Sequence, residues 1–285
     1  SLPNAGGELA LRVAVGTGGH GPSAGIEASL AALKAGVSND AWVVRGEESE
    51  WTQIPADQST STLCEVTARL DPQGRASGRV SHMATGYSAL EQRQAWNQVS
   101  ADSAKCRQHL VETLLPDHAE ATIARYELSG VDSLAQPLGV LAGFSELEAG
   151  VPAGRQLVLK PFFLAGMSRN PFVHETRKYP VDFPHSIREH YRLELELPAG
   201  WKCPTLPADV ADALPERAGT LTRRYRLEGT KLIYERDLMI QRLRFDVPEY
   251  RRLSGFFDRV AETAGEELLL AGDATPAAAA APARG

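Results

Sequence analysis

Cysteine is scarce in this sequence, with only Cys64, Cys106 and Cys203 among 285 residues. None of the three lies in a C-x-x-C pair, so the sequence does not support a zinc ribbon or a thioredoxin-type site. No stretch approaches the roughly 18 apolar residues of a membrane span, and the first 20 residues lack the pattern of a signal peptide. The start at Ser1 without a methionine indicates a processed or excised fragment.

An excess of positive charge is also missing. Thirty Lys and Arg against 36 Asp and Glu leave a formal net charge of -6, the wrong sign for bulk attraction to nucleic acid or anionic membrane. Hydrophobic residues make up 43% and charged residues 23%, as in packed globular proteins of about two domains. We therefore expect no nucleic-acid partner and no transmembrane segment. The arginines between residues 170 and 260 alternate with acids, which predicts cross-strand pairs on a solvated face, as for Arg236 beside Asp237.

Residues 1–58 form an N-terminal segment of uncertain fold. A strand is predicted at Leu11 to Val15, followed by the loop GTGGHGPSAG at 16–25, a helix at 26–36 and a second strand at Ala41 to Val44. Such a unit can direct helix N-terminal amides towards a phosphate, but its pattern is neither G-x-G-x-x-G nor that of a P-loop.

Residues 59–169 are predicted to form a β-rich domain with a helical insertion. Asp71-Pro72-Gln73-Gly74 lies between two β-like runs, 59–70 and 75–85, which indicates a hairpin. The stretch from Tyr87 to Leu115 has no internal Pro or Gly, and Pro116 ends it, so we expect helix there with a break near 100–103.

Residues 170–270 are predicted to form a C-terminal β-sandwich with a terminal helix, and 271–285 a disordered tail. Asp246, Pro248 and Glu249 are typical of a helix start, and an apolar stripe follows at Tyr250, Leu253, Phe257, Val260 and Ala264. The fold class that we predict is mostly β (α+β), with antiparallel β-sandwich domains and a few covering helices.

No catalytic, cofactor-binding or metal-binding residue is assigned from the residue pattern. Cys106 and His109 share one helix face, which seldom directs two side chains at one substrate atom. The histidine-rich segment 172–190 contains His174, His185 and His190 but lacks HExxH, and its two prolines favour extended chain, so we interpret it as a loop between strands. The acidic run GEESEW at 46–51 is interpreted as a solvated charge run because consecutive strand residues point apart.

Two motifs, NPFVHETRKYPVDF at 170–183 and YRLELELPAGWKCPTLP at 191–207, resemble a bacterial family. These are transglutaminase-like proteins in which a papain-like core lies between β-rich domains of unknown function, and the likeness is to the part C-terminal to that core. The hairpin and helix at 71–96, with Gly86, Ala89 and Arg93, and the Pro248-Glu249-Tyr250 helix start are further matches in order. Together they cover roughly residues 40–270.

The resemblance implies a non-catalytic accessory region, periplasmic or extracellular, attached to a papain-like Cys-His-Asp core in the full-length protein. None of the three cysteines or seven histidines has the neighbours of the family's catalytic pair, so no catalytic residue is carried over, and the isolated chain should show no thiol-dependent acyl transfer or amide hydrolysis. The matching residues of 170–183 suggest a structured connection. We expect Arg177 to pair with Asp182, and Phe172 and Phe183 to anchor the segment in a core.

Two other functions stay open at this point. A carbohydrate- or peptide-binding module would expose a row of aromatic side chains, for which Trp201, Trp42 and Trp51 are the candidates. A glycosyltransferase-like nucleotide-sugar site would use the loop Gly16 to His20, since the strand, GTGGH and helix are similar to the N-terminal loop of the enzyme that adds N-acetylglucosamine to the lipid-linked cell-wall precursor.

Overall fold

A computed structural model describes residues 10–11, 40–45, 48–53 and 60–272. In chain order the strands are β1 (Ala10–Leu11), β2 (Asp40–Arg45), β3 (Glu48–Gln53), β4 (Thr62–Leu70), β5 (Arg75–Ala84), β6 (Thr122–Ser129), β7 (Leu138–Glu148), β8 (Gly150–Ala153), β9 (Gln156–Leu159), β10 (Val181–Asp182), β11 (Ile187–Glu196), β12 (Trp201–Lys202), β13 (Val210–Ala213), β14 (Gly219–Glu228), β15 (Lys231–Ile240), β16 (Arg244–Phe245) and β17 (Leu268–Gly272). The helices are α1 (Gly86–Val99), α2 (Ser103–Leu114) and α3 (Tyr250–Ala264), with single 3₁₀ turns at Pro215–Arg217 and Val247–Glu249.

The protein is mostly β, which confirms the predicted fold class. Eight strands form one large sheet in the order β13-β14-β15-β11-β4-β5-β7-β6. The prediction of purely antiparallel sheets needs one correction, because β11 runs parallel to β4, with Tyr191 opposite Cys64. Alternating apolar residues select the buried face of each strand but not its neighbour or its direction, so the pattern alone could not reveal this pair. The parallel pair places strands from segments 59–169 and 170–270 in one sheet.

A smaller antiparallel sheet, in the order β12-β17-β9-β8, packs against the large sheet. Leu157, Leu159 and Leu270 of the small sheet and Val66 and Leu193 of the large one belong to one buried cluster. Two sheets whose inner faces share a core form a sandwich-like arrangement. Three of these strands, β8, β12 and β17, were not expected from the sequence, because short strands carry too few residues to show an alternating pattern.

The predicted hairpin and helices are present. Gly74 closes the turn between β4 and β5, and α1 and α2 are separated at residues 100–102, where the Asp102 side chain accepts hydrogen bonds from the amides of Ala104 and Lys105. The Asp246 amide donates to the Glu249 carboxylate (2.9 Å) at the start of the last helix. The predicted apolar stripe of α3 is buried. All of it except Ala264 packs in one cluster with Leu221, Leu238 and Ile240 of the large sheet, and Ala264 belongs to the core between the two sheets. None of the described helices has the length and apolarity needed to span a bilayer.

A separate three-stranded sheet consists of β1, β2 and β3. The strand predicted at Ala41 to Val44 lies within β2. The predicted loop at 16–25, the helix at 26–36 and most of the tail at 271–285 lie outside the described residues.

Candidate functional site

The connection between β9 and β11 is the most unusual irregular segment of the described chain. It spans residues 160–186 and contains only the two-residue strand β10, which pairs with β16. Long connections with so little regular structure in a compact fold are usually functional or linker segments. Residues 170–183 within it are called the anchored loop below, because protein groups hold them at several points.

Asn170 ties the beginning of the anchored loop to α3. Its Nδ2 donates to Oδ1 of Asp258 (2.7 Å) and to the carbonyl of Ser254 (3.1 Å), and its Oδ1 accepts a hydrogen bond from the Phe172 amide (2.8 Å). Asparagine suits this position because its amide donates and accepts at once while its short side chain supports a local turn. The loop is thereby fixed to the helix just before its apolar anchor.

Phe172 is that anchor. Its ring lies 5.1 Å from Phe257, 5.8 Å from Tyr250 and 6.1 Å from Phe183, measured between centroids, and each pair is edge-to-face. Such pairs contribute roughly 0.5–1.5 kcal/mol each beyond the area that they bury. The predicted anchoring by Phe172 and Phe183 is therefore seen in the geometry.

Arg177 holds the middle of the loop, but not through the predicted partner. Its guanidinium lies over the rings of Phe172 (5.7 Å) and Tyr250 (5.5 Å). The prediction that Arg177 pairs with Asp182 is wrong, since Asp182 instead lies 3.3 Å from Arg244 on the neighbouring strand β16. The aromatic cluster beneath the loop offers a cation a π face that the spacing of charges in the sequence did not reveal.

Between these fixed points the loop exposes apolar side chains. Val173 is 81% exposed and Tyr179 is 79% exposed. The Tyr250 hydroxyl donates to the carbonyl of His174, directly after Val173, at 2.6 Å. The backbone is thus held while its apolar side chains face solvent, an arrangement typical of a pre-organised contact surface.

Arg236 fixes the chain just before the loop and was missed by the sequence analysis, which placed it on a solvated face. It is 1% exposed. Its guanidinium donates to the carbonyls of Met167 (2.8 Å) and Val260 (3.3 Å) and to the Thr263 hydroxyl (3.3 Å), and it lies 3.8 Å from the Glu189 carboxylate. Arg236 therefore joins the chain entering the loop to α3. In the sequence, Arg236 alternates with Tyr234 and Leu238, and this spacing could have indicated that its side chain is buried.

Residues 155–270 match the model of a family described as a domain of unknown function with a solved structure, DUF3858. This match covers less than half of the chain. A crystal structure from Parabacteroides distasonis, described as a candidate protease, is similar at 21% identity over 37% of this chain, with a TM-score of 0.32. The matched region spans 20% of that structure. No curated protein matches the chain.

The anchored loop and every residue that holds it fall inside the DUF3858 match. The match spans the entering chain at Met167, the loop itself, β15 with Arg236, and α3. The loop is therefore built from contacts within the matched region.

The three cysteines are buried and unpaired. Burial, with a smaller contribution from the Glu65 carboxylate, raises the pKa of Cys64 to about 12. Burial also raises the pKa of Cys203, whose thiol lies 3.4 Å from the carbonyl of Thr205. The Cys106 thiol donates to the carbonyl of Val99 (3.3 Å). Since the thiolate is the nucleophile, Cys64 and Cys203 suit packing rather than covalent catalysis at neutral pH.

Cys64 belongs to a polar row on the inner face of the large sheet. The register places Arg223 opposite Arg236, Arg236 opposite Tyr191, Tyr191 opposite Cys64, and Cys64 opposite His82. All five are buried. Burial lowers the pKa of His82 to about 4, so its imidazole is neutral at pH 7. A neutral imidazole opposite a neutral thiol is not an activated pair.

The structure distributes the remaining predicted residues among separate places. His174 lies in the anchored loop, the ring of His185 stacks on Tyr87 (5.2 Å), and Nδ1 of His190 lies 2.7 Å from Asp237. His109 lies beside Trp96, with 6.1 Å between ring centroids. Within the described ranges, no group of three or more His, Cys, Asp or Glu side chains could hold a metal ion.

Of the candidate platform residues, Trp201 is half-buried and packs on the core. Trp42 and Trp51 are register partners on β2 and β3. The loop Gly16 to His20 lies outside the described residues, as do residues 46 and 47 of the acidic run.

Proposed function

We propose that this chain is a non-catalytic interaction module of a transglutaminase-like protein, and that the anchored loop docks against the papain-like core of that protein. The observation that carries the proposal is the exposure of Val173 and Tyr179 on a backbone fixed at Asn170, Phe172 and Arg177. The identity of the partner rests on the sequence resemblance of roughly residues 40–270 to the region C-terminal to such a core.

The cost of ordering a contact surface supports a docking role. Association loses affinity when side chains and loops must be immobilised, so a loop that is already held binds at a smaller cost. Tyrosine is also among the residues that most often dominate interface energies. Val173 and Tyr179 therefore have the exposure and the support expected of contact residues.

The burial of the thiols supports the non-catalytic part of the proposal. The pKa of about 12 for Cys64 leaves almost no thiolate at neutral pH. In the proposed arrangement the nucleophile belongs to the core, and this chain supplies a surface. The resemblance further leads us to propose a periplasmic or extracellular location.

Site-specific photocrosslinking in the full-length gene product tests the docking. With Tyr179→p-benzoylphenylalanine, irradiation should produce crosslinks into the core, identified by peptide mass spectrometry. The matched control is Val151→p-benzoylphenylalanine, since Val151 is 69% exposed on β8, an edge strand of the small sheet outside the loop. We expect the core crosslink from position 179 to exceed that from position 151 by about tenfold, because crosslinking requires contact.

Equal core crosslinking from the two positions would overturn the docking proposal. A Val173→Ser variant of the crosslinker protein should weaken the crosslink from position 179, whereas Val151→Ser in the same background should not. Thiol-dependent amide hydrolysis by the 285-residue chain that disappears in Cys64→Ala, Cys106→Ala or Cys203→Ala would contradict the non-catalytic assignment.

A further inference from the structure

A surface cleft lies at the edge of the large sheet, outside the anchored loop. It runs between α2 and the first residues of β6 and has a volume of about 420 Å³. Val111 and Leu115 line it from the helical side, and Ala121 and Ile123 from the strand side. Leu115, Ala121 and Ile123 are buried residues of the core cluster, and Val111 packs on the same cluster, so the floor of the cleft is an apolar extension of the core.

Three polar side chains of α2 stand around this apolar floor: Arg107, Gln108 and Glu112. The Gln108 Nε2 donates to Oε1 of Glu112 (2.9 Å), so this carboxylate already has a partner. Arg107 differs, because within residues 60–272 no carboxylate lies within 4.0 Å of its guanidinium. The cleft therefore combines an apolar floor with one available cation.

The two features lie close enough for one small ligand. Arg107 and Val111 are four residues apart on α2 and so occupy the same helix face, about 6 Å apart along the axis. Glu112 also lines the cleft and lies five residues from Arg107, about 7.5 Å along the helix axis. Clefts of roughly 300–1,000 Å³ with an apolar lining and a few polar groups are typical small-molecule sites.

We propose that this cleft binds a small aliphatic carboxylate, with its hydrocarbon chain on Val111, Pro116 and Ala119, the apolar lining residues that keep accessible surface, and its carboxylate paired with Arg107. The hydrocarbon gains by leaving water. The carboxylate gains a charge-assisted hydrogen bond, which is stronger than one between neutral groups. The site shares no residue with the anchored loop, so the proposal does not depend on the docking function.

Octanoate is the probe for this proposal, added to the ¹⁵N-labelled 285-residue chain and followed by amide chemical shifts. We expect saturable shifts among residues 107–123, and no such shifts with octylamine, which has the same chain and the opposite charge. Arg107→Gln should weaken octanoate binding by about fivefold to tenfold. Lys105→Gln is the matched control, because Lys105 is an exposed cation on the same helix outside the cleft. This variant should bind octanoate with the same affinity as the unaltered chain.

A second variant tests the cleft independently of charge. Ala119 lines the cleft and is exposed, so Ala119→Trp should fill the space without disturbing the core, and octanoate binding should be lost while the amide spectrum of the rest of the chain is retained. Equal octanoate affinity in Arg107→Gln and the unaltered chain would overturn the proposal, as would the absence of saturable shifts up to millimolar octanoate. If acetyl-Ala-Leu binds more tightly than octanoate, the proposed ligand is wrong and the cleft instead binds a peptide C terminus.

Discussion

Arg223 and Arg236 occupy inward positions on neighbouring strands, where each guanidinium loses its hydration and must be paired by protein groups. Arg223 donates to Glu266 (2.8 Å) and to the carbonyl of Ala208 (2.8 Å), whereas Arg236 is held mainly by backbone carbonyls. These contacts connect β14 and β15 to the segments that follow α3 and precede the anchored loop. On each strand the other side chains that point inward are mostly apolar. An arginine at such a position is therefore expected to be buried, although most arginines are solvated.

His82 belongs to the same inner row, and its burial makes the stability of the fold depend on pH. Its pKa is lowered from 6.5 to about 4 because the charged imidazolium would lose its hydration. In the unfolded chain His82 is therefore protonated as the pH falls below about 6.5, whereas in the folded chain it is protonated only near pH 4. The free energy of unfolding therefore keeps the full contribution of His82 above pH 6.5. It loses that contribution as the pH falls towards 4, by roughly 3 kcal/mol in total.

The variant His82→Met tests this prediction by removing the titrating group while keeping a buried side chain. Urea unfolding between pH 7.5 and pH 4 should show the unaltered chain losing about 3 kcal/mol more free energy of unfolding than His82→Met. The control His174→Met replaces an exposed histidine and should follow the unaltered chain. Parallel pH profiles for the unaltered chain and His82→Met would show that His82 is not held neutral.

Two hairpin turns end in glycines with left-handed backbone but differ in their surroundings. Gly74, between β4 and β5, has φ +85°, and an added Cβ would lie 2.1 Å from the carbonyl oxygen of Gly150. Gly229, between β14 and β15, has φ +63°, and an added Cβ would meet nothing within 4 Å. The first turn is packed against the small sheet, while the second projects into solvent.

These surroundings predict different costs for the same substitution. Gly229→Ala should cost about 1–2 kcal/mol, the penalty of left-handed backbone with a Cβ. Gly74→Ala carries that penalty and must also displace the Gly150 backbone, so it should cost at least about 2 kcal/mol more. Urea unfolding of the two variants measures the difference, and equal destabilisation would mean that the turn at Gly74 does not pack on β8.

At the scale of elements, local chemistry was informative where a signal was short and strong. Asp71-Pro72-Gln73-Gly74 predicted a hairpin, and Asp246 with Glu249 predicted a helix start, because turns and caps depend on a few adjacent residues. The site was partly predictable in the same way, since Phe172 and Phe183 are large apolar residues that are expected to be buried wherever they lie in the chain. Arg177 was assigned the wrong partner because its guanidinium lies over a pair of rings, Phe172 and Tyr250. Tyr250 is more than 70 residues away along the chain, so no local pattern shows that the two rings come together.

At the scale of the whole molecule, the parallel pairing of β4 with β11 determines which parts of the chain can fold alone. β11 lies between β15 and β4 in the large sheet. Its inward residues Leu193 and Leu195 share a core with Val66 and Val80 of the preceding segment. A fragment limited to residues 155–272, which spans the DUF3858 match, would therefore expose one backbone edge of β11 and open the core.

The fragment 155–272 should accordingly lack cooperative urea unfolding and show the exposed apolar surface of a loosened core, detected by dye binding, whereas 60–272 should unfold cooperatively. The unpaired edge of β11 is also a template for intermolecular pairing, so 155–272 should aggregate at concentrations at which 60–272 stays monomeric. Mixing 155–272 with 60–154 supplies β4 and its core residues and should restore a cooperative unfolding transition. Restoration would show that the fragment fails because it lacks the partner strand, and not because the chain has been cut. A fragment 155–272 with the same unfolding midpoint as 60–272 would show that the β4–β11 pair joins two independently stable units.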